Sequence, residues 1–437
     1  MSVQNPAIVS ATPDTTISTT ISTTETSKKD LRNAVRASFI GTFVEWFDYA
    51  AYMYMASIIA GVFFPELTGR AALINTFALF ALSFLIRPIG AVAWGHIGDR
   101  LGRTKSLSAS ILFMSLATFC IALLPGYNSI GIAAPILLLV LRLIQGFSAS
   151  GEYAAASTYI SESAPQNRRG LFASVVPAAT ACGLLLGSLF VALLTSLLDD
   201  ASLASWGWRL PFLLAAPLGI VGLIIRRMAP ETHVADEDSA KKLPILEVFK
   251  YPRALLVAFS GAILNAIGFY MVLAYLPTYL SEELGMSSSS AFIATTISST
   301  VYAVLVVATG ALSDRLGRRT TMLIAAALFA VFSIPAFLAL DSASFVGVIL
   351  IQVGMGACLA LNDGVLPSFI SEQFPADVRL TGFALTFNCA NAFFGGTAAM
   401  IATWMIGASG NVIAPAYYMV AAAIITAIGV AFAAKSK

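Results

Sequence analysis

Six ionisable side chains lie inside strongly apolar stretches of this sequence: the acids Glu45, Asp48, Glu152 and Asp363 and the arginines Arg87 and Arg142. A charge in hydrocarbon is costly and usually faces a partner or a polar path. Glu45, Asp48, Tyr49 and Tyr52 fall at i, i+3, i+4 and i+7, so one helical stripe carries them all. Arg142, Gln145, Ala149, Glu152 and Tyr153 form a second stripe by the same count. The chemistry these groups suit is reversible proton binding by a carboxyl beside an arginine. Arg142 is expected to neutralise one of the first pair of acids, most simply Asp48. Glu45 or Glu152 is then left to take up and release a proton, because burial favours the neutral form of a carboxyl. His96 and His233 both lie in polar segments, so no histidine relay is expected.

Other residues could shape a binding site around these charges. Trp46, Tyr49 and Tyr52 offer aromatic faces, which suit quaternary ammonium groups. Gln145, Tyr153, Asn265, Phe269, Tyr270, Asn388 and Asn391 are the remaining polar or aromatic candidates for contact with a small molecule. Arg87 precedes Pro88 near the end of an apolar run, where it could snorkel and serve a structural or gating role. Asp363 follows Asn362 and precedes Gly364 and Pro367, a pattern that breaks a helix and could bring the acid to a substrate. There is no G-x-x-x-x-G-K-(S/T) loop and no H-E-x-x-H pair, so an ATP-driven pump of that type and a zinc enzyme are both excluded. No metal and no cofactor is expected. Cys120, Cys182, Cys358 and Cys389 all lie in apolar runs without a C-x-x-C pair and read as small buried hydrophobes.

The elements that position these residues are long apolar helices. The chain is 58% hydrophobic and only 11% charged, against about a quarter charged for an ordinary globular protein. Twelve apolar segments are each long enough to cross a bilayer: 36–62, 72–94, 106–124, 132–160, 171–198, 209–227, 254–280, 290–312, 320–340, 345–371, 381–407 and 412–434. Residues 1–35 read as a disordered tail, and residues 228–253 as a polar linker between two sets of six, 36–227 and 254–437. Of the 25 lysines and arginines, all but Arg70, Arg209, Arg87 and Arg142 fall on one side when both termini are cytoplasmic. That asymmetry fixes the expected orientation. The expected fold is all-α and integral to the membrane, with twelve transmembrane helices in two six-helix halves.

The two halves also echo each other. Gly95-His96-Ile97-Gly98-Asp99-Arg100-Leu101-Gly102-Arg103-Thr104 recurs as Gly310-Ala311-Leu312-Ser313-Asp314-Arg315-Leu316-Gly317-Arg318-Arg319, displaced by 215 positions (314 minus 99). Ile160-Ser161-Glu162 with Pro165 recurs as Ile370-Ser371-Glu372 with Pro375, displaced by 210 (371 minus 161). Two ordered matches at nearly one offset indicate a duplicated unit. The expected role of Gly95, Asp99, Arg100, Arg103 and Glu162, and of Asp314, Arg315, Arg318 and Glu372, is a conformational latch. In it Arg100 or Arg103 pairs with Glu162, and Arg315 or Arg318 with Glu372.

This duplicated G-x-x-(G/S)-D-R-x-G-R-(R/T) loop resembles that of the major facilitator superfamily. Glu45-Trp46-Phe47-Asp48, Ile86-Arg87-Pro88-Ile89-Gly90, Arg142-Leu143-Ile144-Gln145-Gly146 with Gly151-Glu152-Tyr153, and Trp206 to Phe212 resemble its metabolite:proton symporter family. Thr118 to Tyr127 and Pro415-Ala416-Tyr417-Tyr418 are similar to the proline/glycine betaine:proton symporters. The resemblance implies the major facilitator fold, alternating access, a small-molecule substrate and protons as partners, and substrate and proton handling by the first and fourth helices. By likeness to members that carry carboxylates, it also implies an anion clamp at Arg87. A multi-pass protein of a bacterial-type plasma membrane, monomeric and without nucleic-acid partners, is expected. Ionised, the six embedded charges sum to minus two, which favours a zwitterion such as proline or glycine betaine. A di- or tricarboxylate such as 2-oxoglutarate or citrate is the alternative. Osmosensing members of the resembled family carry a long C-terminal extension, and this sequence stops at Lys437 soon after the last apolar run. Osmotic activation through such an extension is therefore not expected.

Overall fold

The computed structural model describes residues 28–101, 103–227 and 244–433. Helices dominate because a chain in hydrocarbon must satisfy every backbone N–H and C=O internally. The crossing helices of the first half are α1 (Lys28–Tyr54, continued by Ala56–Phe63), α2 (Gly69–Leu85, continued by Arg87–Leu101), α3 (Arg103–Leu123), α4 (Ala133–Ser148, continued by Glu152–Ser163), α5 (Gln166–Leu197) and α6 (Leu210–Arg227). Those of the second half are α7 (Pro252–Glu282), α8 (Ser288–Leu316), α9 (Arg318–Leu340), α10 (Phe345–Asp363, continued by Leu366–Gln373), α11 (Arg379–Ser409) and α12 (Ala414–Ala431). Nine of these among the described residues are long and apolar enough to cross a membrane outright. Shorter apolar cores, Ser108–Leu123 and Gly207–Val221, mark α3 and α6.

Three boundaries differ from those expected. The expected tail 1–35 is already helical from Lys28, and residues 1–27 lie outside the described residues. The linker contains a short helix, Pro244–Val248, while 228–243 lie outside the described residues. The repeated loop is scarcely a loop: α8 runs to Leu316, and Gly317 at φ +88° turns the chain directly into α9. A side chain is strained at that φ, which is why the motif places glycine there.

Within the first half α1 lies along α5, α2 on α4, and α3 on α6. Within the second, α12 supports both α7 and α9, while α8 packs on α10. The halves meet where α5 faces α8 and α2 faces α11. Small residues permit the close approaches. A Cβ at Gly183 of α5 would lie 2.7 Å from the Phe43 carbonyl oxygen of α1, and Gly146 of α4 presses on the Ser83 backbone of α2. Leu116, Leu123, Val304, Val331, Leu350 and Ile428 point outward from the bundle, as a surface solvated by lipid tails requires.

Two helices carry π-helical turns at mid-height, Tyr270–Tyr275 in α7 and Asn391–Gly395 in α11. They pack together: a Cβ at Gly395 would meet the Tyr270 ring at 2.7 Å. Such bulges frequently mark functional sites, because they re-aim side chains inside an otherwise regular helix. Asp363 does sit at a break, since α10 stops there and resumes at Leu366.

Candidate functional site

All six embedded charges are buried between the helices rather than exposed on the outer face of the bundle. Arg87 of α2 donates from Nη2 to Glu45 Oε1 of α1 at 3.0 Å, and both side chains are 2% exposed. Arg142 of α4 makes no ion pair among the described residues. Its Nη1 donates to Gln145 Oε1 at 2.9 Å and its Nη2 to Ser83 Oγ at 3.3 Å. The expected Arg142–Asp48 pair is therefore corrected: Arg87 takes an acid of α1, and that acid is Glu45. Arginine at position 87 lies at the start of the second segment of α2, where it is aimed back at α1 rather than outward to the membrane edge.

Arg142 and Asp48 are linked indirectly. Gln145 Nε2 donates to Thr118 Oγ1 at 2.6 Å. The Thr118 hydroxyl lies 2.9 Å from Asp48 Oδ2 and also 2.9 Å from its own helix's Met114 carbonyl. It has one proton and two acceptors within reach. A hydrogen-bonded line thus runs Arg142–Gln145–Thr118–Asp48 across α4, α3 and α1. Sequence reasoning missed Ser83 and Thr118, because single hydroxyls in apolar helices usually bond their own backbone. Only the packing of α3 against α1 distinguishes Thr118.

The aromatic residues divide into two groups. Arg142 lies over the Tyr52 ring at 4.1 Å and near Phe80 at 5.0 Å. Arg87 lies over Phe84 at 4.1 Å and Tyr49 at 4.7 Å. Tyr52 also donates its hydroxyl to the Thr76 carbonyl at 2.8 Å. Tyr49 and Tyr52 thus already hold arginines, instead of offering clear faces. Trp46 packs differently, across the seam between the halves, on Phe269 at 4.9 Å and Tyr270 at 6.0 Å. The buried Trp46 Nε1, Tyr270 hydroxyl and Asp48 Oδ1 have no hydrogen-bond partner among the described residues. Buried polar atoms are normally satisfied, so Trp46 and Tyr270 at the seam, and Asp48 beside Thr118, each have unused capacity for a polar ligand. Tyr153 stacks flat on Phe387 at 4.3 Å, on the terminal side of the cluster, and Glu152 is buried beside it at the start of the second segment of α4.

In the second half Asp363 is the centre. Asn265 Nδ2 donates to its Oδ1 at 2.8 Å, and the Tyr302 hydroxyl donates to its Oδ2 at 2.6 Å. Asn388 reaches across the seam to the Ser150 carbonyl in the break of α4, at 2.9 Å. Asn391 turns back to the Phe387 carbonyl of its own helix at 3.0 Å and so supports the bulge in α11.

The halves are tied together at both ends. On the face away from the termini, the Tyr54 hydroxyl donates to the Leu273 carbonyl at 2.6 Å. Arg70 pairs with Glu283 at 2.8 Å on the same face. On the terminal face Asp314 accepts from the backbone N–H of Gly170 at 2.9 Å and of Leu171 at 3.0 Å. Arg318 holds that carboxylate at 2.7 Å and reaches Glu372 at 3.4 Å. Glu162 pairs at 2.9 Å with Arg379 of the other half; its expected pairing with Arg100 or Arg103 lies outside the described residues. The side chains of Gly95, Asp99, Arg100 and Arg103 lie outside the described residues. Arg315 is exposed, and among the described residues Arg318 is the partner of Glu372. The Asp314 and Glu162 contacts join the two halves, whereas Arg318–Glu372 closes the second half on itself.

Comparison with known proteins places this architecture. The family model described as the Major Facilitator Superfamily matches residues 38–292 and 258–436. The putative proline/betaine transporter of Staphylococcus aureus (strain COL) is 36% identical over 411 residues, covering 92% of this chain and 88% of the relative. The proline/betaine transporter of Escherichia coli (strain K12) is 36% identical over 413 residues, covering 90% and 82%. Among solved structures, a crystal structure of a D-xylose–proton symporter superposes with a TM-score of 0.73 at 20% identity, covering 91% of this chain and 97% of that one. That likeness shows the fold. Duplicated charged turns, twelve crossings in two halves and a seam with buried charges are the parts of a transporter, and this chain belongs to the Major Facilitator Superfamily.

Proposed function

We propose that the protein carries a small zwitterion such as proline or glycine betaine inward with protons, by alternating access of the two halves around the seam. The observation that carries the proposal is the position of Arg142. It is fully buried, has no acid within ion-pair distance among the described residues, and lies one ring away from the seam cluster of Trp46, Phe269 and Tyr270. One uncommitted cation suits one carboxylate, and aromatic faces suit the cationic nitrogen. A di- or tricarboxylate would need Arg87 as well, and breaking its buried pair with Glu45 would leave an uncompensated charge. The names of the 36%-identical relatives, proline/betaine transporters, support the same reading.

Asp48 is the proton carrier in this proposal. When it is ionised, the Thr118 proton points to it and every donor in the line is directed from Arg142 towards Asp48. When Asp48 is protonated, Thr118 can turn its proton to Met114 without losing a bond. A substrate carboxylate on Arg142 competes with Gln145 for that guanidinium and so perturbs the far end of the line. Glu45 is then a fixed counter-charge for Arg87, and Glu152 borders the path to the terminal face. Trp46, Tyr270 and Asp48 each have a polar atom without a partner among the described residues, available to the substrate or its proton. A cleft of about 1000 Å³ on the face away from the termini, lined from both halves by Ser57, Asn128, Arg209 and Glu282, is the approach to the seam. The termini are cytoplasmic in this arrangement, and the duplicated latch opens that face.

The test is uptake into proteoliposomes under an imposed inward proton gradient. Labelled glycine betaine and proline are compared with citrate and 2-oxoglutarate. Uptake of the zwitterions alone, abolished by collapsing the gradient, is the expected result. Uptake of the carboxylates alone would overturn the charge assignment and make Arg87 and Arg142 a joint anion clamp.

A further inference from the structure

The buried acids differ in the kind of partner they have, and this separates fixed charges from carriers. Glu45 bonds Arg87, whose guanidinium can only donate and can only be positive. That partner accepts the anion and rejects the acid. Asp363 is buried equally deeply, yet no lysine, arginine or histidine pairs with it among the described residues. Both its partners are neutral and can reverse their roles. The Tyr302 hydroxyl donates or accepts, and the Asn265 side chain presents either its NH2 or its carbonyl after rotating the amide. The ionised carboxylate receives two hydrogen bonds as the structure stands. The protonated form can give its own proton to the Asn265 carbonyl and still accept from Tyr302. In either form both carboxyl oxygens of Asp363 keep a hydrogen-bond partner.

From this geometry we infer that Asp363 is a second proton-binding site, in the half of the protein opposite Asp48, and that transport moves two protons with each substrate. The inference rests on the proton-coupled reading above. Among the described residues, the titratable groups that face Asp363 are Tyr302 from α8 and, across the seam, Tyr153 from α4; α7 presents the neutral Asn265. Position explains how the site couples to motion. Asp363 ends the first segment of α10, and Gly364 immediately after it packs on the α8 backbone at Val306 and Gly310. Gly310 in turn abuts Gly170 and Ser174 of the first half, beside the Asp314 latch. Asn265 lies one turn before the π-helical segment of α7 that holds Tyr270 at the seam. A change of charge at Asp363 is thus felt on the substrate side through α7 and on the latch side through α8.

The experiment is thermodynamic. With the membrane potential clamped at zero, the steady accumulation of labelled glycine betaine is measured against the imposed pH difference. Two coupled protons give about 100-fold accumulation per pH unit and one gives about tenfold. Wild type is expected at about 100-fold and Asp363→Asn at about tenfold, with substrate counterflow retained in the variant. A wild-type value near tenfold, or an Asp363→Asn value equal to wild type, overturns the inference. Absence of any gradient-driven uptake by wild type would instead remove the proton-coupled reading beneath it. If Asp363→Asn loses counterflow, infrared difference spectra between acid and alkaline pH decide the matter. A protonated-carboxyl band that shifts in Asp363→Glu supports the site, and bands that all stay unmoved overturn it.

Discussion

Replacing Asp314 by asparagine should open the terminal face. In the structure this carboxylate accepts two backbone N–H bonds from the other half, at Gly170 and Leu171, and pairs with Arg318. Asp314 and Arg318 are each only 8% exposed, so solvent screening is slight. Hydrogen bonds to a charged group contribute about 1.5–3 kcal/mol each, and neutral ones about 1. An asparagine has one side-chain oxygen and keeps at most one of the two cross-seam bonds, now neutral. The closed terminal face then loses about 2 kcal/mol, or roughly thirtyfold in the open-to-closed ratio. The Arg70–Glu283 pair at the other face is a useful contrast. Arg70 is 48% exposed, and an exposed pair is worth about 0–1 kcal/mol, at most roughly fivefold. The assay replaces the four native cysteines and places a reporter at Ala156→Cys. That position is buried beneath the latch in the cluster with Ile160 and Phe387. Labelling by an impermeant thiol reagent from the terminal face should accelerate roughly thirtyfold in Asp314→Asn, and Arg70→Ala should not accelerate it. A rate within twofold of the parent would refute the assignment of Asp314 as the principal tie.

Three further outcomes follow from the contacts. Glu45→Gln leaves Arg87 buried without its counter-charge and should destabilise the folded protein by about 3–5 kcal/mol; its thermal unfolding temperature in detergent should fall, and the Glu45→Gln/Arg87→Met double variant should recover part of the loss. Thr118→Val keeps the shape but leaves Gln145 Nε2 and Asp48 Oδ2 each short of a partner, a loss of about 1–3 kcal/mol; gradient-driven uptake should drop about tenfold, and wild-type uptake at every pH would discard the Arg142–Asp48 line. Outside the membrane, Asp199 caps the short helix Asp200–Ser205, and its hydrogen bonds with Ser202 hold its carboxyl below the usual carboxylate range. A carboxyl depressed by folding stabilises at neutral pH and loses that contribution as pH falls through its folded value. Asp199→Asn should therefore narrow the difference in unfolding temperature between neutral and strongly acid pH, and an unchanged difference would show that the cap is energetically silent.

Some of the site is legible in the amino-acid sequence. An ionised side chain in an apolar run is conspicuous, so Glu45, Asp48, Arg87, Arg142, Glu152 and Asp363 stand out by type alone. Helical spacing places Glu45 and Asp48 on one stripe, and Asn362-Asp363-Gly364 announces the break in α10. Pairing is not legible. Arg142 and Arg87 are both one helix packing away from α1, and which of them meets an acid depends on how α2 and α4 rotate against it. The neutral partners Ser83, Thr118 and Tyr302 carry no sequence signal, since hydroxyls are common in such helices and mostly bond locally. The partners within the latch are hidden for a related reason. Glu162 and Arg379 lie 217 positions apart and become neighbours only when the two halves close.

What the sequence by itself determined is the set of crossings, the duplication and the choice of charges. Apolar length fixes a helix in hydrocarbon, and glycine fixes the turn at Gly317, because both are local requirements of backbone hydrogen bonding and sterics. What only the tertiary structure decided is which charge is neutralised and which is left to work. Arg87 is matched to Glu45, while Arg142 is set among neutral groups and reaches Asp48 through Gln145 and Thr118. Asp363 is likewise given only partners that can reverse. Those distinctions depend on contacts a few ångströms long between helices far apart in the chain, and electrostatic energies in a low dielectric change steeply over that range.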